Sequence, residues 1–219
     1  MNTSLILEFL TGLSSHNSKE WMEANKEEHN QAKATFIELV STLLENLKQF
    51  DPGVAALTAK DCIFRINRDV RFSKNKAPYK NNFGASISEG GKKSENAGYY
   101  FHIQPGNESF IAGGLYMPAS EHLKKIRQEI DYNAPELLKI VSEKDFKKTF
   151  GTVQGDKLAR APNGYFPDHP NIEFLKLKSY IVLQKLSDKE ILSNDLVASL
   201  SDKCRTMKPF LDFLNVATS

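Results

Sequence analysis

Cysteine is scarce in this chain: Cys62 and Cys204 are the only two among 219 residues. Two thiols cannot supply the disulfide framework of a small secreted scaffold, and neither stands in a metal-ligand spacing. Long apolar runs are absent as well. Leu5-Ile6-Leu7 and Phe9-Leu10 are interrupted by Glu8, no Lys or Arg precedes them, and no run approaches the roughly 18 residues of a membrane span. The opening residues therefore lack the basic start and longer apolar core of a secretory signal, and they read as an amphipathic helix. An excess of charge of one sign is missing too. Lys and Arg number 29 against 27 Asp and Glu, a net of +2, which excludes a polycation that coats nucleic acid by bulk charge. A soluble, cytoplasmic chain is expected, with no membrane contact. At 40% hydrophobic and 26% charged residues the composition suits a folded chain, and the length suits a single domain over residues 1–219.

The hydrophobic pattern changes period along the chain. Residues 3–50 read as helical. Thr3 or Ser4 can cap a short helix that ends near Gly12, and Asn17 or Ser18 can cap the next. From Trp21 onward Met22, Ala32, Phe36, Ile37, Val40, Leu43, Leu44, Leu47 and Phe50 recur mostly at steps of three and four, one stripe of a long amphipathic helix stopped by Asp51-Pro52-Gly53. Trp21 is expected to pack in the core. Residues 61–116 are sheet-rich. Ile63–Ile66, Ala85–Ser88 and Gly98–Gln104 are β-rich runs, and Pro105–Glu108 is a turn before a returning strand from Ser109. Residues 119–149 return to a helical period, 151–170 are loop-rich, and 171–216 are mixed, with a strand at Tyr180–Leu183 and closing helices carrying Leu196, Leu200, Phe210, Leu211 and Leu214. The predicted fold is α+β: a central, mainly antiparallel sheet with N-terminal, middle and C-terminal helices packed around it.

Charge is concentrated where the sheet begins. Between Lys60 and Lys93 stand nine basic residues and three acidic ones, a net of +6; the whole chain carries +2, so the remainder is −4. A basic region on an acidic body is the electrostatic footprint of an anionic partner, although charge runs are commonly solvated faces. Arg65, Arg68 and Arg71 place three planar forks close together, the geometry that holds carboxylate or phosphate oxygens bidentately. If the segment stays extended, Phe64, Ile66, Arg68, Val70 and Phe72 share one face, while Arg65, Asn67, Asp69 and Arg71 share the other. Arg68 then stands among core hydrophobes and requires an anionic partner, either an internal carboxylate or a ligand. Lys74 to Lys80 follow as a loop, because Pro78 disfavours a helical Ala77.

Other constellations are weaker. Asp168-His169 could pair a carboxylate with a base, but adjacent residues seldom face one another. His102 shares a strand face with Tyr100 and Gln104, which suits a structural, hydrogen-bonded histidine better than a general base. His16, His29 and His122 have no metal-like partners, and no metal or cofactor is expected. Ser73 lacks a nucleophile elbow, and Gly90-Gly91-Lys92-Lys93 lacks the setting of a phosphate-binding P-loop and reads as a flexible turn. Gly113-Gly114 suits a close approach by backbone or ligand.

The stretch Arg65-x-x-Arg68-Asp69-x-Arg71-Phe72-x-x-Asn75-Lys76-x-x-Tyr79 resembles the signature of the bacterial family called domain of unknown function 2461. Glu20-Trp21, Asn25-Lys26, Gly98-Tyr99-Tyr100, Gly113-Gly114-Leu115-Tyr116-Met117-Pro118, Pro162-Asn163-Gly164, His169-Pro170 and Lys178 are similar as well. The resemblance spans nearly the whole chain. It implies a compact single-domain bacterial protein of about this size, and it implies no activity.

Three functional readings follow from the residues. In the first, the chain binds a phosphorylated small molecule, with Arg65, Arg68 and Arg71 as a clamp, Lys76 and Lys80 as point charges, Asp69 orienting an Arg, and Tyr79 stacking or donating a hydrogen bond. In the second, the same groups form an enzyme of phosphoryl or phosphodiester type, with Asp69 as base and Tyr79 as acid. In the third, Arg68 and Asp69 are internal salt-bridge partners that fix a loop, and function lies in contacts with protein partners the sequence does not identify. Nucleic acid is expected to be at most a weak, salt-sensitive partner.

Overall fold

The computed structural model describes all of residues 1–219. Three helices lead: α1 (Ser4–Ser15), α2 (Lys19–Ala24) and α3 (Lys26–Leu47). Ser18 caps α2 by accepting a hydrogen bond from the Trp21 N–H. The single long helix expected from Trp21 is instead broken at Asn25, whose side-chain amide donates to the Trp21 carbonyl at 2.8 Å. A short polar side chain that competes for helix carbonyls ends one helix and lets the next start at a new angle. Beyond the break, α3 buries Ala32, Phe36, Val40, Leu43, Leu44 and Leu47 of the stripe read from the sequence and adds Leu39, while Ile37 is half-buried. Trp21 packs its ring over Gly12 and against Phe9, half-buried at the edge of the core.

A short α4 (Ala59–Cys62) follows, closed by a capping box between Thr58 and Asp61. Then come β1 (Phe83–Ile87), β2 (Gly98–Ile103) and β3 (Ser109–Leu115), joined in an antiparallel meander. Helices α5 (Ser120–Tyr132), α6 (Ala134–Ser142), α7 (Lys144–Phe150) and α8 (Ile172–Leu175) intervene before β4 (Tyr180–Leu186) pairs antiparallel with β3. After α9 (Asp188–Ile191), one helix, α10 (Leu196–Thr218), closes the chain and continues through Pro209 rather than dividing into several. The sheet order is β1-β2-β3-β4. The fold is α+β, and no helix is long and apolar enough to cross a membrane.

The strand expected over Ile63–Ile66 does not form. Ile63 makes an isolated bridge to Ala85, and the Phe64 N–H donates to the Gly84 carbonyl at 3.0 Å. The chain then leaves β1 and pairs with its own return: the Arg68 N–H donates to Pro78 O at 2.9 Å and the Lys80 N–H to Ile66 O at 2.8 Å. Pro78 offers a carbonyl but no N–H, so the ladder cannot lengthen. At the opposite edge, Gln154 exchanges both backbone hydrogen bonds with Ile181 of β4, at 2.7 and 3.0 Å.

The sheet has two unlike faces. Tyr99, Phe101, Ile103, Ile111, Leu115, Tyr180 and Val182 are buried in the core, which also takes in residues of α1, α3 and α10. On the other face lie Ser86, Tyr100, His102, Phe110, Ile181 and Leu183, all half-exposed. The strand period of two separates these sets.

Candidate functional site

The segment from Phe64 to Val70 keeps the expected alternation. Ile66 is buried and Phe64, Arg68 and Val70 are half-buried, whereas Arg65, Asn67, Asp69 and Arg71 are exposed. Phe72 breaks the pattern and is 97% exposed, because the chain has already turned into the loop.

The cations expected to form one clamp have separate partners. Arg68 turns inward but meets no carboxylate: it donates to Ala77 O at 3.0 Å and to Ser73 Oγ at 3.3 Å. Arg71 grips Asp69 through two hydrogen bonds, Nε to Oδ1 at 2.9 Å and Nη2 to Oδ2 at 2.6 Å, in full view of solvent. These hydrogen bonds hold the Asp69 carboxyl below its ordinary range, which makes it a weak base. Lys76 donates to Val70 O at 3.0 Å, and Lys80 to Arg65 O at 3.0 Å. The Tyr79 backbone is clamped on both sides by the Asn17 side-chain amide, at 3.0 and 3.1 Å, while its side chain packs against the core. Arg68, Lys76 and Lys80 thus tie down the backbone of the segment they belong to. Arg65 differs, since its guanidinium hydrogen-bonds to nothing in the chain.

Arg65 instead lines a hollow of about 460 Å³ with Lys33, Lys60, Lys92 and Lys93, over a floor of Ile37, Ile63 and Phe64. No acidic side chain lines it. Four stretches of the chain bring these residues together. Lys33 projects from α3, Lys60 from α4, Arg65 from the segment after α4, and Lys92 and Lys93 from the connection between β1 and β2. That connection turns at Gly90 and Gly91, with φ of +84° and +80°. Glycine adopts this left-handed backbone without steric cost. The turn is anchored because the Lys92 N–H donates to Asp61 O at 3.0 Å and Lys92 Nζ to Lys60 O at 2.8 Å. The nearby Asp61 carboxyl is held below its usual range mainly by Thr58, with Lys92 adding to the effect. Lys33, which lies outside the basic segment, was invisible to a local charge count; only the packing of α3 on α4 adds it.

A second, larger depression of about 760 Å³ lies on the half-exposed sheet face. Tyr100, Phe110, Ala112, Ile181 and Leu183 are among its apolar lining, and Ser86, Ser94, Asn96, His122 and Lys80 are among its polar lining. Tyr100 and Phe110 stand with ring centroids 5.6 Å apart, and His102 stacks on Phe110 at 4.5 Å. Behind Tyr100 runs a short hydrogen-bonded chain: Tyr100 Oη to His102 Nδ1 at 3.1 Å, then His102 Nε2 to Gln104 Oε1 at 3.1 Å. With Gln104 accepting, His102 carries its proton on Nε2 and accepts the Tyr100 hydroxyl at Nδ1. Burial lowers the His102 pKa and raises that of Tyr100, so both stay neutral near pH 7. Phe110 was not singled out in the sequence; the turn at Pro105–Glu108 sets the register that pairs it with His102.

The remaining candidates are accounted for locally. His169 pairs with Asp131 at 3.0 Å, not with Asp168, and its Nδ1 accepts from the Asn171 N–H. No three His, Cys, Asp or Glu side chains converge as a metal site would require. Cys62 and Cys204 are buried, and burial pushes the Cys62 thiol up to about 11 and the Cys204 thiol further still.

In comparison with known proteins, the model of the conserved hypothetical protein family DUF2461 matches residues 5–213. No curated protein and no solved structure matches the chain.

Proposed function

The chain belongs to the DUF2461 family of conserved hypothetical proteins, a membership that assigns no activity, and from the geometry of its charged groups we propose that it binds a phosphorylated small molecule in the hollow lined by Arg65. One observation carries this reading: five cations from four separate stretches of the chain line a single concave surface with no acidic residue among them. Four of the five, Lys33, Lys60, Arg65 and Lys93, make no side-chain hydrogen bond within the chain, so their donors are available to a ligand. Like charges gathered without counter-charges repel one another, and an anion relieves that repulsion when it binds. Arg65 supplies the planar fork and the lysines supply point charges. Because Lys33, Lys60, Arg65 and Lys93 are exposed, binding weakens as salt screens them.

Arg71, Lys76 and Lys80 contribute to the field rather than to direct contacts, since each is already hydrogen-bonded within its own segment. Inorganic pyrophosphate titrated at low ionic strength, followed by calorimetry and thermal melting, tests the reading. Wild-type protein should bind and melt higher. Arg65→Ala and Lys93→Ala should each weaken binding at least several-fold, while Arg71→Ala should change it little. An unchanged affinity in the Arg65→Ala/Lys93→Ala double variant refutes the assignment.

A further inference from the structure

The cationic hollow and the sheet-face cleft meet at one residue. Phe64 lines both. The Lys80 ammonium stands 5.5 Å from the centre of its ring, donates to Arg65 O, and lines the cleft. A molecule with its anionic group among Arg65, Lys92 and Lys93 therefore has its other end directed across Phe64 onto the sheet. Resting on the reading above, we infer that the ligand is a nucleotide in chemical class: its phosphate lies in the hollow and its planar ring on the half-exposed face of the sheet.

The cleft favours a ring over an alkyl chain for three reasons. Its floor is aromatic: Phe64 and Tyr100 have centroids 6.4 Å apart with planes at 54°, and Tyr100 and Phe110 5.6 Å apart with planes at 41°, so each ring offers its own face or edge to a planar partner. Aromatic side chains on a sheet surface are a stacking platform for any base. Directly opposite Tyr100 on β3, Ala112 projects only a methyl group, so no bulky side chain competes for that part of the cleft. The rim is polar, since Ser94, Asn96 and His122 line the same cleft. These groups suit the nitrogen and oxygen edge of a base, and an alkyl chain would cover them without replacing their water.

The platform is also fixed in advance. The Tyr100 ring is held by His102, itself held by Gln104 and stacked on Phe110, so little side-chain freedom remains to be lost on binding. Lys80 sits at the junction, where it favours the phosphate-bearing end of the molecule and fixes its direction.

Binding of AMP, GMP, CMP, UMP, ribose 5-phosphate and hexyl phosphate, measured by calorimetry at one low salt concentration, tests this. At least one nucleotide should bind about tenfold tighter than ribose 5-phosphate, the range of one stacked base. Phe110→Ala should remove that advantage and leave ribose 5-phosphate binding unchanged. Tyr100→Phe, which keeps the ring, should retain most of it, and native-like melting of both variants guards against misfolding. Arg65→Ala should weaken nucleotide and sugar phosphate alike. If ribose 5-phosphate equals every nucleotide, or hexyl phosphate binds tightest, the ring assignment is overturned and the hollow's anion binding stands. If none of the six binds, and pyrophosphate does not either, both fall together.

Discussion

Replacing Arg68 with alanine separates two accounts of the basic motif. In this fold the guanidinium holds the return of the loop at Ala77 O, at 3.0 Å, and reaches Ser73 Oγ at 3.3 Å. A sheltered hydrogen bond from a charged donor contributes about 1.5–3 kcal/mol, and one near the long end of the range contributes less. Both acceptors are only partly buried, so water replaces Arg68 in the variant and recovers part of the loss. The expected cost is therefore about 1–2 kcal/mol, well below the roughly 3–5 kcal/mol that follows when a buried ion pair loses one member. For a chain of this length that is a fall in melting temperature of about 2–8 °C. Arg68→Lys should recover part of it, because an ammonium reaches one acceptor but not both in fork geometry. Trypsin provides a local readout: Lys74 and Lys76 lie in the loop that Arg68 closes, and cleavage there should accelerate in Arg68→Ala. A loss above about 3 kcal/mol would reveal a charged partner for Arg68. An unchanged melt with unchanged cleavage would mean that these hydrogen bonds do not hold the loop.

Arg71→Ala should leave the same melts nearly unchanged, since its pair with Asp69 is exposed to water. Gly113→Ala would drive a methyl group into Met207 of α10 and should cost about 1–3 kcal/mol by overpacking. With Met207→Ala the methyl group gains room, so the double variant should lose less than the two single losses combined, and strict additivity in urea titrations would count against that contact. Neither thiol should react with a disulfide reagent at pH 8 until the protein is unfolded, because both are buried with raised pKa values. The His29 and His102 pKa values are lowered by burial, so the unfolded chain takes up more protons as the pH drops through about 6.5. Stability should fall between pH 7.5 and 5.5, and His102→Gln should flatten that slope in urea titrations.

The sequence made the regular elements legible where one period held long enough. The stripe of α3 and the aromatic run of β2 needed no distant information, and the alternation around Arg68 read correctly as far as Val70. Ile63–Ile66 failed because β propensity does not say whether a partner strand is present on both sides. Here the capping box at Thr58 uses the preceding residues, and Pro78 limits the return. The candidate site was legible as a concentration of charge but not as a shape. Counting placed Lys60, Arg65, Lys92 and Lys93 in one basic segment, yet only the turn at Gly90-Gly91 and the docking of α3 turn that segment into a hollow. Arg68 was correctly drawn inward, but its partner is a backbone carbonyl nine residues on, which no side-chain inventory shows.

The two isolated pairings that flank the sheet bear on how the protein behaves in a crowd. An outer strand with a free row of N–H and C=O groups is a template for another chain's backbone, and it leads to aggregation or swapped dimers. In this protein Ile63 and Phe64 occupy part of the free side of β1, and Gln154 that of β4, each as a short, irregular contact too brief to recruit a further strand. At Gly155, φ is +158° and a side chain would collide with the Ser179 carbonyl, so this guard fits only because the residue is glycine. The guards are drawn from connecting segments rather than from strands, which makes them the parts able to peel away while the core stays folded. Self-association would then begin from a nearly native molecule with one edge uncovered, and the integrity of two connecting segments would set the concentration this protein tolerates.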